Sequence, residues 1–85
     1  MKEQAQEINH QMADHLRTLR QDASLTMREL ADKLNTPHSF IGKIEKRGRR
    51  LDVGEFILYC QALDCEPNEV FKIVNEMAAT IEKQA

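Results

Sequence analysis

Residues 26–45 read TMRELADKLNTPHSFIGKIE, and this stretch carries two helix start signals only ten residues apart. Thr26 followed three residues later by Glu29 is a capping box: the Thr oxygen takes a free amide of the first turn and the Glu reaches back to the cap. The helix that follows places Leu30, Ala31 and Leu34 on one face. It is expected to end near Asn35, a residue that tolerates a left-handed backbone. Thr36 is then expected to cap a second helix with Pro37 at its first position, where the missing N–H costs nothing. At about 100° per residue, Pro37, Ile41 and Ile44 share one face of that helix, while Ser39, Gly42, Lys43 and Lys46 point the other way.

Two short helices joined by so tight a turn fit a helix-turn-helix; their apolar spacing alone also fits an αα-hairpin. The residues themselves say more. The run LTMRELADKLNTPHSFIGKIEKRGRRLDVGEFILYCQALDCEPNEVF resembles the DNA-binding domain of the Cro and phage-repressor (XRE-like) family over about residues 16–71. The likeness lies in Glu29-Leu30-Ala31, in Ser39-x-Ile41-x-x-Ile44-Glu45, and in the ending Ala62-Leu63-Asp64-x-x-Pro67-x-Glu69-Val70-Phe71. It implies an all-α, compact five-helix bundle of lambda-repressor-like topology, with the C-terminal helix extended.

Working outward, Ile8, Met12, Leu16 and Leu19 recur at steps of four, four and three, which predicts an amphipathic helix over residues 3–22. His15 falls at its edge and reads as a partly covered side chain. His10, five residues away, does not share its face, so the pair is no ligand set. Beyond the motif, KRGRRLD is a cationic loop in which Gly48 is available for positive φ. Asp52 and Glu55 form a second capping signal. A core helix is expected from there, with Val53, Phe56, Ile57, Cys60 and Leu63 inward. Pro67 opens the last helix, expected to run to about Lys83. Its apolar arc is wide. Val70, Phe71 and Val74 are assigned to the domain's own core, and Ile73, Met77 and Ile81 to a symmetric partner; the alternative is a helix end folded back on Ile8 and Met12.

Eighty-five residues make one domain with a modest core, residues 1–85, in which 67–83 is the candidate dimerisation helix. Cys60 and Cys65 are too few and too close for a disulfide scaffold, and no metal-ligand set accompanies them; no cofactor is expected. The N-terminal MKEQAQEINHQ is charged and without an apolar segment, unlike a secretory signal, and no run is long enough to span a membrane, so a cytoplasmic protein is expected. The net charge of −2 argues at first against a nucleic-acid partner. Residues 36–51, however, hold Lys43, Lys46, Arg47, Arg49 and Arg50 against Glu45 alone, a local +4 that leaves −6 for the remainder. No nucleophile, base and orienting group stand at workable spacing, and no glycine-rich phosphate loop is present, so the chain does not read as an enzyme.

The family resemblance implies function residue by residue. Its base-reading positions fall on His38, Ser39 and Lys43, with Phe40 at the flank, where the ring either touches a thymine methyl or packs on the fold. Phosphate contacts fall on Thr26, Met27, Arg28, Lys46, Arg47, Arg49 and Arg50. An arginine matching Arg20 pairs in the family with a glutamate matching Glu45; the alternative is that both are solvated. Gly42, mid-helix at a cost of about 1 kcal/mol against alanine, either admits close approach to the groove or is tolerated drift. Two departures stand out: Met27 stands where the family commonly has a glutamine, so that contact is either absent or taken over by Arg28, and Gly48 lies one residue beyond the usual glycine after Glu-x. The expected function is a sequence-specific, dimeric transcriptional repressor reading double-stranded DNA, as a palindromic operator, with the helix from Pro37 to Lys46. The alternative is a protein-interaction module on the same fold, an antitoxin or a phage regulator that sequesters a protein partner.

Overall fold

The computed structural model describes the backbone of residues 1–84 and the side chains of residues 1–80. Five helices follow one another: α1 (Lys2–Asp22), α2 (Met27–Leu34), α3 (His38–Glu45), α4 (Val53–Ala62) and α5 (Pro67–Gln84). The described residues contain no strand. Leu16, Leu30, Ile41, Ile44, Tyr59 and Cys60 are all less than 2% exposed and form the centre of the core, with Ala31, Leu63, Val70 and Val74 around them. Helix α2 packs on α3 and α4, while α5 lies along α1.

Local chemistry accounts for the starts. In α2 the Glu29 N–H donates to Thr26 Oγ1 at 3.0 Å and the Thr26 N–H donates to Glu29 Oε1 at 2.9 Å, closing the box. Asp52 and Glu55 do the same for α4, at 2.7 and 3.0 Å. Helix α3 differs from the sequence expectation. Pro37 has ψ 146 and is the cap rather than the first helical residue, Thr36 caps nothing, and its buried hydroxyl has no partner in the chain. The reason is that Thr36 still belongs to the end of α2, where its N–H donates to the Ala31 carbonyl at 3.0 Å.

The ends of α1 to α4 share a single device. Ser24, Asn35, Arg47 and Asp64 take φ of 57, 54, 66 and 55°. The amide just after each reaches five residues back: Leu25 to Arg20 at 3.1 Å, Thr36 to Ala31 at 3.0 Å, Gly48 to Lys43 at 2.8 Å and Cys65 to Cys60 at 2.9 Å. These are Schellman closures, which satisfy orphan carbonyls and reverse the chain within two or three residues. The expectation that Gly48 supplies the positive φ is therefore corrected: no glycine does, and Arg47 takes that conformation.

Two further expectations fail for one reason. Val53 and Ile57 are 77% and 39% exposed, and α4 instead turns Tyr59, Cys60 and Leu63 inward with Phe56 half-buried. In α5, Val70 and Val74 are buried but Phe71 is 63% exposed. A helix that is apolar nearly all round offers several faces, and the neighbours choose among them. Of the residues assigned to a partner, Ile73 is exposed and Met77 half-buried, while the Ile81 side chain lies outside the described residues. Leu58 and Tyr59 make the point testable, since they are adjacent and 57% and 1% exposed. Tyr59→Ala is expected to cost about 3–5 kcal/mol in urea denaturation, and Leu58→Ala less than about 1 kcal/mol.

Candidate nucleic-acid interface

Helix α3 is amphipathic in the sense the interface requires. Ile41 and Ile44 are 0% and 1% exposed, whereas His38, Ser39, Lys43 and Lys46 are exposed. Its rotation is set at its last residue. Arg20, from the final turn of α1, donates through Nε to Glu45 Oε2 at 2.6 Å and through Nη2 to Oε1 at 2.9 Å, and its Nη1 donates to the Leu25 carbonyl at 2.7 Å. The two side chains are only 11% and 6% exposed. The hydrogen bond to Glu45 raises the Arg20 pKa above its ordinary value against the opposing effect of burial. Tyr59 feels both charges. Burial raises its phenol pKa, Glu45 adds to the shift and Arg20 opposes it.

The cationic loop is anchored rather than loose. Arg47 Nη2 contacts Asp14 Oδ2 of α1 at 2.6 Å. Arg49 donates to both carboxylate oxygens of Glu55, at 3.1 and 2.8 Å, and to the Arg50 carbonyl at 3.0 Å. Its guanidinium also lies 4.7 Å from the centre of the Phe40 ring, a cation–π distance. Glu55 is held below the ordinary carboxylate range, first by Arg49 and then by the Asp52 amide. Phe40 is half-buried and packed on the core, so of the two roles open to it the structure favours support: one face of its ring seats Arg49. Among the described residues Arg28, Lys43, Lys46 and Arg50 form no ion pair.

At the start of α2 the amides of Thr26 and Glu29 are consumed by the capping box, so the N–H groups left to face an anion are those of Met27 and Arg28. The Met27 side chain, 38% exposed, brings no polar group. Elsewhere the chemistry is quiet. Burial pushes the Cys60 thiol up to about 11, both cysteines are free, and no group of His, Cys, Asp or Glu among the described residues is arranged to hold a metal. No described helix is long and apolar enough to cross a membrane. Sequence reasoning did not find Asp14 and Glu55 as partners of the loop arginines. Both lie on other helices, and the only local hint was Glu55's place in the capping box.

A helix-turn-helix family profile matches residues 16–70, well over half the chain. The chain belongs to the XRE-like helix-turn-helix family of DNA-binding transcriptional regulators. Among solved structures, an XRE-family-like protein from Pseudomonas syringae pv. tomato is 34% identical with a TM-score of 0.79, the match covering 84% of this chain and 87% of that one. The restriction-modification controller protein C.AhdI from Aeromonas hydrophila is 26% identical, TM-score 0.67, over 75% of this chain and 96% of its own. The clp gene regulator ClgR from Corynebacterium glutamicum shares the fold at 21% identity and TM-score 0.77, over 91% and 82%. No curated protein is significantly similar in sequence.

In this helix-turn-helix protein the usual glycine after Glu-x coincides with position 47, the one left-handed position held by a long side chain. Arg47→Gly and Arg47→Ala both lose the contact with Asp14, but only glycine adopts the left-handed backbone freely. The Gly variant is expected to be the more stable of the two by about 1 kcal/mol in urea denaturation.

Proposed function

We propose that the chain is a dimeric repressor that reads a palindromic operator with α3. One observation carries the reading: the outer face of α3 presents His38, Ser39 and Lys43 without any partner in the described chain, beside the cationic edge formed by Lys46 and Arg50. The major groove admits an α-helix, and base edges there carry a distinct donor and acceptor pattern. Lys43 donates to guanine O6 or N7; Ser39 donates or accepts; His38 donates from the ring N–H that its tautomer provides. Lys46 and Arg50, with the Met27 and Arg28 amides, hold phosphates and set the register. Arg47 and Arg49 brace the loop through Asp14 and Glu55, so their part in phosphate binding is secondary. Likeness to a restriction-modification controller supports transcriptional control.

Dimerisation is assigned to a different surface from the one the sequence suggested. An apolar groove of about 410 Å³ lies between α1, α4 and α5, with Ile8, Val53, Phe56, Ile57 and Phe71 among its walls. No candidate DNA contact lines it, so a second copy seated there leaves both reading helices bare, as a palindrome requires. The same groove is what the rival reading, a protein-interaction module, would use for a different partner. Selection of bound duplexes from a random pool tests the function: a palindrome is the expected result, and no enrichment would overturn it.

Lys43→Ala is expected to relax preference at one base position by about 1–3 kcal/mol, while Arg50→Ala weakens selected and random duplexes alike. With Lys46 and Arg50 as the unpaired phosphate cations, the log-log salt slope per protomer is expected to be about −1.8, against about −4.5 if all five clustered cations engaged phosphate. Phe71→Glu is expected to halve the mass seen by sedimentation, and a wild-type chain that stays monomeric would overturn the assigned interface.

A further inference from the structure

Gly42 occupies the middle of α3, where a glycine costs helix stability that alanine would return. Glycine is normally kept in such a place by a positive φ or by a neighbour that leaves no room for a Cβ. Neither applies. Gly42 has no positive φ, and a Cβ built on it meets nothing within 4 Å apart from its own helix backbone and its two chain neighbours. The fold therefore gives no reason for glycine at this position. On the helix it lies one turn after Ser39 and one turn before Lys46, on the face that the proposed function turns toward DNA. Ser39 is the shortest of the candidate readers; its hydroxyl reaches a base edge only if the backbone of α3 itself comes close to the groove floor.

Resting on the DNA-reading function proposed above, we infer that Gly42 is a positioning residue: its bare Cα is where α3 makes closest approach to the duplex, and that depth brings the Ser39 hydroxyl to a base. Lys43, on a long flexible stem, does not depend on the same depth. Non-specific binding through phosphates does not depend on it either.

The test uses the full chain, the duplex that the wild type selects, and a random-sequence duplex. Gly42→Ala is expected to raise Tm by about 4–8 °C. It is also expected to weaken the selected duplex by about tenfold while leaving the random duplex unchanged. Ser39→Ala is expected to weaken the selected duplex in the wild-type background and to add nothing in the Gly42→Ala background. Gly54→Ala serves as control. Its Cβ would make only an ordinary 3.5 Å contact with Asp52 Oδ1, and both affinities should stay unchanged. Full affinity in Gly42→Ala, an equal loss on the random duplex, or an undiminished Ser39→Ala effect in the Gly42→Ala background would each overturn the inference and leave the regulator reading intact. A wild type that selects no duplex would overturn both.

Discussion

The arrangement of this molecule depends on the ion pair between Arg20 and Glu45. Glu45 ends α3, and its carboxylate is almost covered, a costly position for a charge that lacks a partner. Arg20 answers it with two N–H groups and ties the chain at Leu25 with a third, so one guanidinium holds the end of α1, the entry to α2 and the end of α3 together. Such a pair adds little net stability over an apolar equivalent, because desolvation offsets most of the attraction. Its contribution here is directional. With Glu45 turned inward, Ile41 and Ile44 face the core and Ser39 and Lys43 face out, and no other rotation of so short a helix satisfies both.

The second organising feature is the repeated left-handed turn. Four consecutive helix ends close in the same way, each using one residue at φ 54–66° and one amide that reaches five residues back. Short connections of this kind let helices of eight or ten residues, too short to be stable alone, meet at angles that bury one common core. Asn and Asp adopt the left-handed conformation more readily than most residues, whereas a long side chain such as Arg seldom does. That Arg47 sits there links backbone strain to the loop leading away from α3, where its guanidinium meets Asp14.

Charge is arranged in the same economical manner. The chain is slightly acidic overall, yet its cations gather around α3 and the loop after it. Part of that charge is balanced internally, Arg47 by Asp14 and Arg49 by Glu55, and Phe40 supports the second arginine from below. The balanced pairs give the loop a defined shape; the unbalanced Lys43, Lys46 and Arg50 give it a field directed at an anion.

Much of this was legible in the sequence wherever the deciding interaction spans three or four residues. The capping boxes of α2 and α4, the left-handed Asn35 and the apolar stripe of α1 all follow from side chains acting on their own turn of backbone. The family resemblance located the helix-turn-helix pair α2 and α3. Tertiary structure alone decided which side of α4 turns inward, that Phe71 is bare, and that Arg47 is held by Asp14 of α1. In each of these cases the competing local arrangements lie close in energy, because an apolar helix or a flexible cation has several equivalent ways to be satisfied. Only contacts between residues distant in the chain remove the degeneracy.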